Sequence, residues 1–442
     1  MKNIEVLACL LSVIFVSMSA LADEQDNGDI HVNNYAHTAK SASNFTVLDA
    51  DHYRQTVQES RAKISEILLA QQKQHFKNAD ARMAFLTQRL QDIPYTFSGA
   101  AGEGDWDGKA HIKQDPVYRL DGLNCQTFTQ VVLAMYFSKD IDEFDKNILK
   151  INYGSAGNPQ GEIVHFFNRN HFIDGDWNPN NQQNGFITDC TAYGNLSSCS
   201  KMTYANITRQ NWFDLQQSDL QRTVRVLNPA DGPAMADRYA HFYAKLNFPH
   251  FDFQTVGLSY IPKEKIAALQ TDGHYKPNID LLDKIPTPAV VEIVRDAKKW
   301  QIDGKNIKEV IGSELSVSHM GVLYHQNFKR GEIIYQKNEC KYNDQHEKIC
   351  DVSPITCQKK LCKVLMFSHP TAARPNGYFW YQSSKNRYAC SAELPDGITQ
   401  YTQCNRVQAI PLFDYLTDYQ YESHLYMTNP SILGIHVEHI TR

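Results

Sequence analysis

Cys125 has the surroundings that most resemble a chemical site. It follows Asn124 and opens the run Cys125-Gln-Thr-Phe128-Thr-Gln-Val131-Val132-Leu-Ala-Met135. Phe128, Val131, Val132 and Met135 keep the i, i+3, i+4, i+7 spacing of an amphipathic helix, and Asn is a favoured N-cap type. The spacing therefore predicts a helix with Cys125 in its first turn. There the helix dipole and unpaired N–H groups lower a thiol's pKa, and the same amides can receive an oxyanion. The chemistry implied is attack by a thiolate on a carbonyl carbon. Such a thiolate needs a general base, normally His, held in turn by a third polar group.

With 17 His in the chain, a histidine match alone is cheap. His319 lies in the strand-like run Ser316–Tyr324, where alternation puts Val317, His319, Gly321 and Leu323 on one face. A histidine among apolar and small residues is more often packed than catalytic, but Gly321 leaves room for a group to approach. His369 follows Phe367-Ser368 at the end of a later apolar run and is placed to orient His319. An exposed strand-end histidine is the commoner outcome there. His436-Val-Glu438-His439 holds ligand types, yet alternation splits them over two faces. No His-Glu-x-x-His, zinc-type cysteine pair or Gly-x-Ser-x-Gly elbow is present. The glycine-rich stretch 97–104 lacks the Gly-Lys-Ser/Thr of a phosphate loop. Neither a metal nor a cofactor is expected. Trp177, Trp212 and Trp380 can stack on sugars, though core packing is the commoner use of such rings.

Cysteine usage separates Cys125 from the rest. Residues 1–22 read as an export signal: Lys2, an apolar stretch from Val6 to Val16, then Ala20-Leu21-Ala22. That stretch is shorter than the ~20 apolar residues that span a bilayer. Cys9 falls inside this signal. Of the remaining nine cysteines, eight form close neighbours: Cys190 with Cys199, Cys340 with Cys350, Cys357 with Cys362, and Cys390 with Cys404. Sequential disulfides are the simplest expectation in an oxidising compartment, leaving Cys125 as the free thiol. The chain is expected in the periplasm or outside the cell. Its net charge of −5 gives no basic footprint for nucleic acid.

These residues need elements to position them. Helices are expected at 53–77 and 79–91, the second ended by Pro94. Residues 23–50 read as a flexible lead-in. The stretch 138–285 is rich in Asn, Gly and aromatics and reads as a loop-heavy insertion. After Pro286 and Pro288, strand-like runs follow at 289–294, 316–324, 331–335, 363–367, 377–381 and 432–440. Helices first and a mostly antiparallel sheet after make an α+β arrangement, with a Cys-rich extension over 340–442.

The segment Tyr118-Arg119-Leu-Asp121-Gly-Leu-Asn124-Cys125-Gln-Thr127-Phe128 resembles the nucleophile segment of the N-acetylmuramoyl-L-alanine amidase-like family. That family belongs to the NlpC-type cysteine peptidases with a papain-like core. Ile93-Pro94-Tyr95 is similar to the family's Pro-Tyr segment. Val164-His165-Phe166 and Asp176-Trp177 with Asn181 and Gly185 resemble its His-aromatic and Trp-Asn-Gly stretch. Ser318-His319-Met-Gly321-Val322 looks like its Ser-His-Val-Gly-Ile strand, and Phe367-Ser368-His369-Pro370 like its His-Ala-Ser segment. Asn124 stands where Asp is usual, and Pro370 follows His369 in place of Ala. The resemblance implies an amidase domain over 51–442 that cuts the amide between the lactyl group of N-acetylmuramic acid and L-Ala. It implies Cys125 as nucleophile, His319 as base and His369 as its orienting group. Tyr95, Arg119, Asp121, Asn124 and Trp177 are implied to bind the oxyanion or substrate. Peptidoglycan or a muropeptide would be the partner and the enzyme a monomer, with no membrane-spanning segment in the mature chain. Two other functions fit the residues: an endopeptidase acting within the stem peptide, and a non-catalytic, disulfide-stabilised glycan- or wall-binding protein.

Overall fold

The computed structural model describes residues 50–91, 93, 120, 122–155, 159–161, 169–212, 253–271, 275–302, 304–342, 348–371, 378–382, 387–391, 401–403, 406–417, 419–421, 424–426 and 431–441. The expected signal and lead-in lie outside them, as do Tyr95, Arg119, Asp121, His165 and Phe166.

Both N-terminal helices form where the spacing places them, as α1 (Ala50–Gln72) and α2 (Ala79–Arg89). Asn78 caps α2, its Oδ1 accepting the Ala81 N–H at 2.8 Å. The cysteine segment forms α3 (Cys125–Tyr136), in which every residue except Gln126 is buried. A helix apolar on all sides belongs at the centre of a core. Here α2 and α4 (Ile141–Tyr153) pack on it on one side, with α1 against both of them, and the sheet packs on the other. Phe128, Val131 and Val132 are fully buried, each worth about 1.5–3 kcal/mol of transfer free energy.

The sheet draws on the whole chain. Its strands are β1 (Ile187–Asp189), β2 (Lys201–Thr208), β3 (Phe253–Pro262), β4 (Ala289–Arg295) and β5 (Val317–Lys329). A second group of strands, β6 (Ile333–Tyr342), β7 (Lys348–Thr356), β9 (Tyr378–Gln382), β10 (Arg387–Ser391) and β11 (Tyr401–Gln403), forms its own five-stranded sheet, while β8 (Leu361–Thr371), β12 (Arg406–Pro411) and β13 (Ile432–Ile440) return to the first. The main order is β12-β8-β5-β4-β13-β3-β2, with β1 paired to β13, and every pairing is antiparallel. The α+β class follows. The stretch 138–285 is more structured than its texture announced: α4 packs on α3, and β1, β2 and β3 extend the central sheet. Its strands were hard to read because Gly257 and several Thr and Asn interrupt the apolar alternation.

Alternation along the central strands separates two cores. Met320, Val322 and Tyr324 of β5 join the cluster around α3 that contains Cys125. Leu323 and Phe367 join a second cluster with Leu412 and Leu416 of α6 (Leu412–Thr417). No helix among the described residues is long and apolar enough to cross a membrane.

The expected cysteine pairing is met at one place and not at another. Cys357 and Cys362 are joined, closing the turn between β7 and β8. Cys190 and Cys199 are not joined, so among the described residues Cys125, Cys190 and Cys199 all lack a disulfide. Local bonds hold the two separately. The Cys190 Sγ reaches the Thr188 carbonyl at 3.5 Å, whereas Cys199 ends a 3-10 turn with its Sγ 3.9 Å from Ser198 Oγ. Cys340 and Cys350 stand opposite each other in the β6–β7 register. The side chains of Cys340, Cys350 and Cys390, and Cys404 entirely, lie outside the described residues.

Candidate active site

Cys125 is the first residue of α3 and 4% exposed. Asn124 caps the helix in a reciprocal box. Its Oδ1 accepts the Thr127 N–H at 2.8 Å, and its own N–H donates to Thr127 Oγ1 at 2.9 Å. The box fixes the first turn, where backbone N–H groups have no helical acceptor. Asn124 Nδ2 is buried and makes no hydrogen bond.

The two histidines singled out by sequence are brought together. His319 Nε2 lies 2.9 Å from His369 Nδ1, across paired strands β5 and β8. Gly321 permits this: a Cβ there would meet the Ser368 carbonyl at 2.4 Å and His369 Cβ at 3.0 Å. Phe367 stacks on His369 with centroids 4.4 Å apart, and Tyr415 of α6 closes over both imidazoles. Burial, then the neighbouring His369 and Arg295 charges, hold His319 well below its ordinary pKa. Burial takes His369 down to about 3, against the opposing pull of the Pro370 carbonyl. Both rings are therefore neutral at pH 7. His319 Nδ1 is buried with no hydrogen bond.

The thiol and the imidazole pair are not in hydrogen-bond contact. Cys125 packs with Met320 and Val322, while the rings of His319 and His369 lie against Phe367 and Tyr415 on the other side of β5. His319 sits near the start of β5, just after a bulge against β4.

A second buried polar group lies on the α3 side; sequence reasoning noted His436 and Glu438 but did not connect them with Glu292, Asn178 and Gln182. His436 Nε2 is 3.0 Å from Glu438 Oε1, and its Nδ1 donates to the Ser259 carbonyl at 2.8 Å. Asn178 and Gln182 of α5 (Asn178–Gln183) donate to Glu292 and Glu438 at 3.1 and 2.6 Å. Burial alone would lower the His436 pKa. The Glu438 bond and the charges of Glu292, Glu438 and Asp189 outweigh it and raise the pKa to about 9. A protonated ring with both nitrogens engaged has no lone pair for base work. Burial, then the Glu438 charge among other causes, pushes Glu292 up to about 8. The signal in the sequence was a lone Glu inside the apolar run 289–294.

Trp177 is fully buried in the cluster that holds Cys125. It ends a π-turn, Ile173–Trp177, in which Asp174 and Asp176 are also largely buried. Asp176 pairs with Arg209 of the segment after β2; burial nevertheless raises its pKa to about 6.

Comparison with known proteins adds three findings. A family model described as N-acetylmuramoyl-L-alanine amidase-like (AmiA-like) matches residues 92–356, more than half of the chain. The match includes Cys125 and His319 and stops before His369. The fold is similar to the crystal structure of a Legionella pneumophila protein assigned to family DUF1460. It is 19% identical with a TM-score of 0.51, over 88% of this chain and 97% of that one. At that identity the likeness is one of fold. The search of curated proteins found no match.

Proposed function

The chain belongs to the N-acetylmuramoyl-L-alanine amidase-like family, and from that premise we propose that it is an exported cysteine amidase. Its substrate is a peptidoglycan fragment, and the bond cut joins the N-acetylmuramic acid lactyl group to L-Ala. The helix α3 on its sheet is then the papain-like core of the enzyme. The observation that carries the catalytic assignment is the His319–His369 bond, which leaves His319 Nδ1 as a neutral, unengaged base on the strand packed against the cysteine helix.

In this reading Cys125 Sγ loses its proton to His319 Nδ1 and attacks the lactyl carbonyl carbon. The oxyanion is received by the first-turn amides of α3, with Asn124 Nδ2 as a further donor. Collapse breaks the C–N bond, and the His319 imidazolium protonates the departing L-Ala amine. Water, deprotonated by His319, then attacks the thioester and releases the lactyl carboxylate and the Cys125 thiol. His319 Nε2–H donates to His369 Nδ1 while the ring is charged, which fixes its orientation. This route requires His319 Nδ1 to reach the Cys125 side of β5, whereas its ring lies against Phe367 and Tyr415 on the other side. The family resemblance assigns substrate or oxyanion binding to Tyr95, Arg119 and Asp121, which lie outside the described residues.

The test is mass analysis of a muropeptide digest. This reading requires a peptide-free sugar and an intact stem peptide beginning with L-Ala. A shortened peptide still on the sugar identifies an endopeptidase instead, and no product identifies a binding protein.

A further inference from the structure

One segment joins the two halves of the candidate site. The Asn170 carbonyl accepts Gln126 Nε2, from the first turn of α3, at 3.2 Å. Asn170 is anchored to the end of α4: its N–H donates to the Asn152 carbonyl at 2.7 Å, and Nδ2 reaches the Ile151 and Gly154 carbonyls at 3.2 Å each. The chain then makes the π-turn. Within it Asp174 is 4% exposed, and its Oδ2 accepts the Ser316 N–H at 3.3 Å. Ser316 immediately precedes β5, and its carbonyl accepts the Arg295 N–H at 2.7 Å. Past the turn, Asn178 Nδ2 holds Glu292, which stands opposite Met320, the neighbour of His319. The segment is thus tied at one end to the residue after Cys125 and at the other to the strand start before His319.

The turn is built at a cost. It buries two carboxylates, of which Asp176 has the Arg209 guanidinium and Asp174 has a backbone N–H. A buried carboxylate without a cationic partner is expensive, and an apolar turn could pack here instead. Gly175 lies close to β2: a Cβ there would be 2.7 Å from Ile207 Cδ1, and Arg209 Nη2 donates to the Gly175 carbonyl at 3.2 Å. Single π-turns recur where geometry serves function.

We propose that Asp174 is a positioning residue: through Ser316 it sets where the start of β5, and with it His319, stands relative to Cys125. The proposal rests on the cysteine-amidase reading. Asp174 touches neither substrate nor thiol and acts through the strand start.

The test reads the pH dependence of kcat on one muropeptide in the full chain, since without substrate His319 Nδ1 makes no hydrogen bond. His319→Ala should move the profile toward that of an unassisted thiol, near pH ~8.5. Asp174→Ala should move it the same way and lower kcat about 10- to 100-fold, with KM within about twofold. Asp174→Asn keeps an acceptor oxygen and should restore both. Gln126→Ala cuts the other end at a partly exposed residue and should shift the profile in the same direction by less; if Asp174→Ala does not fold, this variant decides. The proposal is overturned if His319→Ala shifts the profile while folded Asp174→Ala and Gln126→Ala match the wild type. If His319→Ala itself leaves the profile unchanged, the base assignment has failed, and Asp174 loses its role with it.

Discussion

His319 Nε2 lies 2.9 Å from His369 Nδ1, and the remaining nitrogen of each ring is buried without a hydrogen bond. A donor–acceptor pair of this kind fixes tautomers as well as positions. For His319 Nδ1 to act as base, Nε2 must carry the proton and donate to His369 Nδ1; the Pro370 carbonyl, 3.1 Å from that nitrogen, can only accept and favours the opposite tautomer. When His319 takes a proton at Nδ1, its Nε2–H must donate to His369, and the His369 proton then sits on Nε2.

The first prediction concerns that pair. A base must be unprotonated to act, and burial, His369 and Arg295 hold His319 below its ordinary value. Activity should therefore persist below pH ~6.5, where a free histidine would be half protonated. Replacing His369 by Ala removes one of the causes of the depression and the orienting acceptor. The acid limb of kcat against pH should move up, and kcat should fall on the order of 10²-fold or more. An unmoved limb would detach His369 from His319.

The second concerns the buried acidic group on the α3 side. Glu292 titrates near 8 in the folded protein, far above a free carboxylate, and His436 near 9. A raised pKa means that the folded state holds a proton that the unfolded state gives up. The stability from Glu292 is present at low pH and lost as pH rises through about 8; that from His436 is present below its free value and lost through about 9. Tm should fall from pH 7 to 9. Glu292→Gln, which keeps the neutral form at all pH values, should fall less over the same interval. Parallel melting curves would contradict the assignment.

The third separates packing from substrate contact at Trp177. The ring is fully buried among the α3 cluster residues. Trp177→Ala should cost about 3–5 kcal/mol by chemical denaturation. Trp177→Phe should lower Tm and leave KM within about twofold. A KM effect without a Tm effect would return Trp177 to the substrate. Asn124→Ala, which removes the cap of α3, should cost about 1 kcal/mol.

Peptide mapping without reduction supplies the fourth. It should recover Cys357 linked to Cys362, and Cys190 and Cys199 each carrying the alkylating label. A Cys190–Cys199 link would restore the sequential pattern there.

How much of this was legible in the sequence depended on period and on charge. The cysteine helix was legible because four apolar residues kept helical spacing behind an Asn. The strands that carry His319, His369 and His436 were legible as apolar runs; β13 matches its run at 432–440, whereas β5 reaches Lys329 and β8 spans Leu361–Thr371. The pairing of β5 with β8, which joins the two histidines, was not legible, since register is set by long-range packing across 50 residues of chain. Nor was the π-turn. Asp176-Trp177 was noticed for its residue types, but the role of Asp174 depends on Ser316, 142 positions away. The Cys190–Cys199 expectation failed because sequence closeness carries no information on where two side chains point.

The most direct measurement compares the wild type with Cys125→Ala on one muropeptide, with the products identified by mass. The account predicts that the wild type releases the intact L-Ala-headed peptide and a peptide-free sugar, and that Cys125→Ala is slower by about 10³-fold or more. Release of that peptide by Cys125→Ala at the wild-type rate would contradict it.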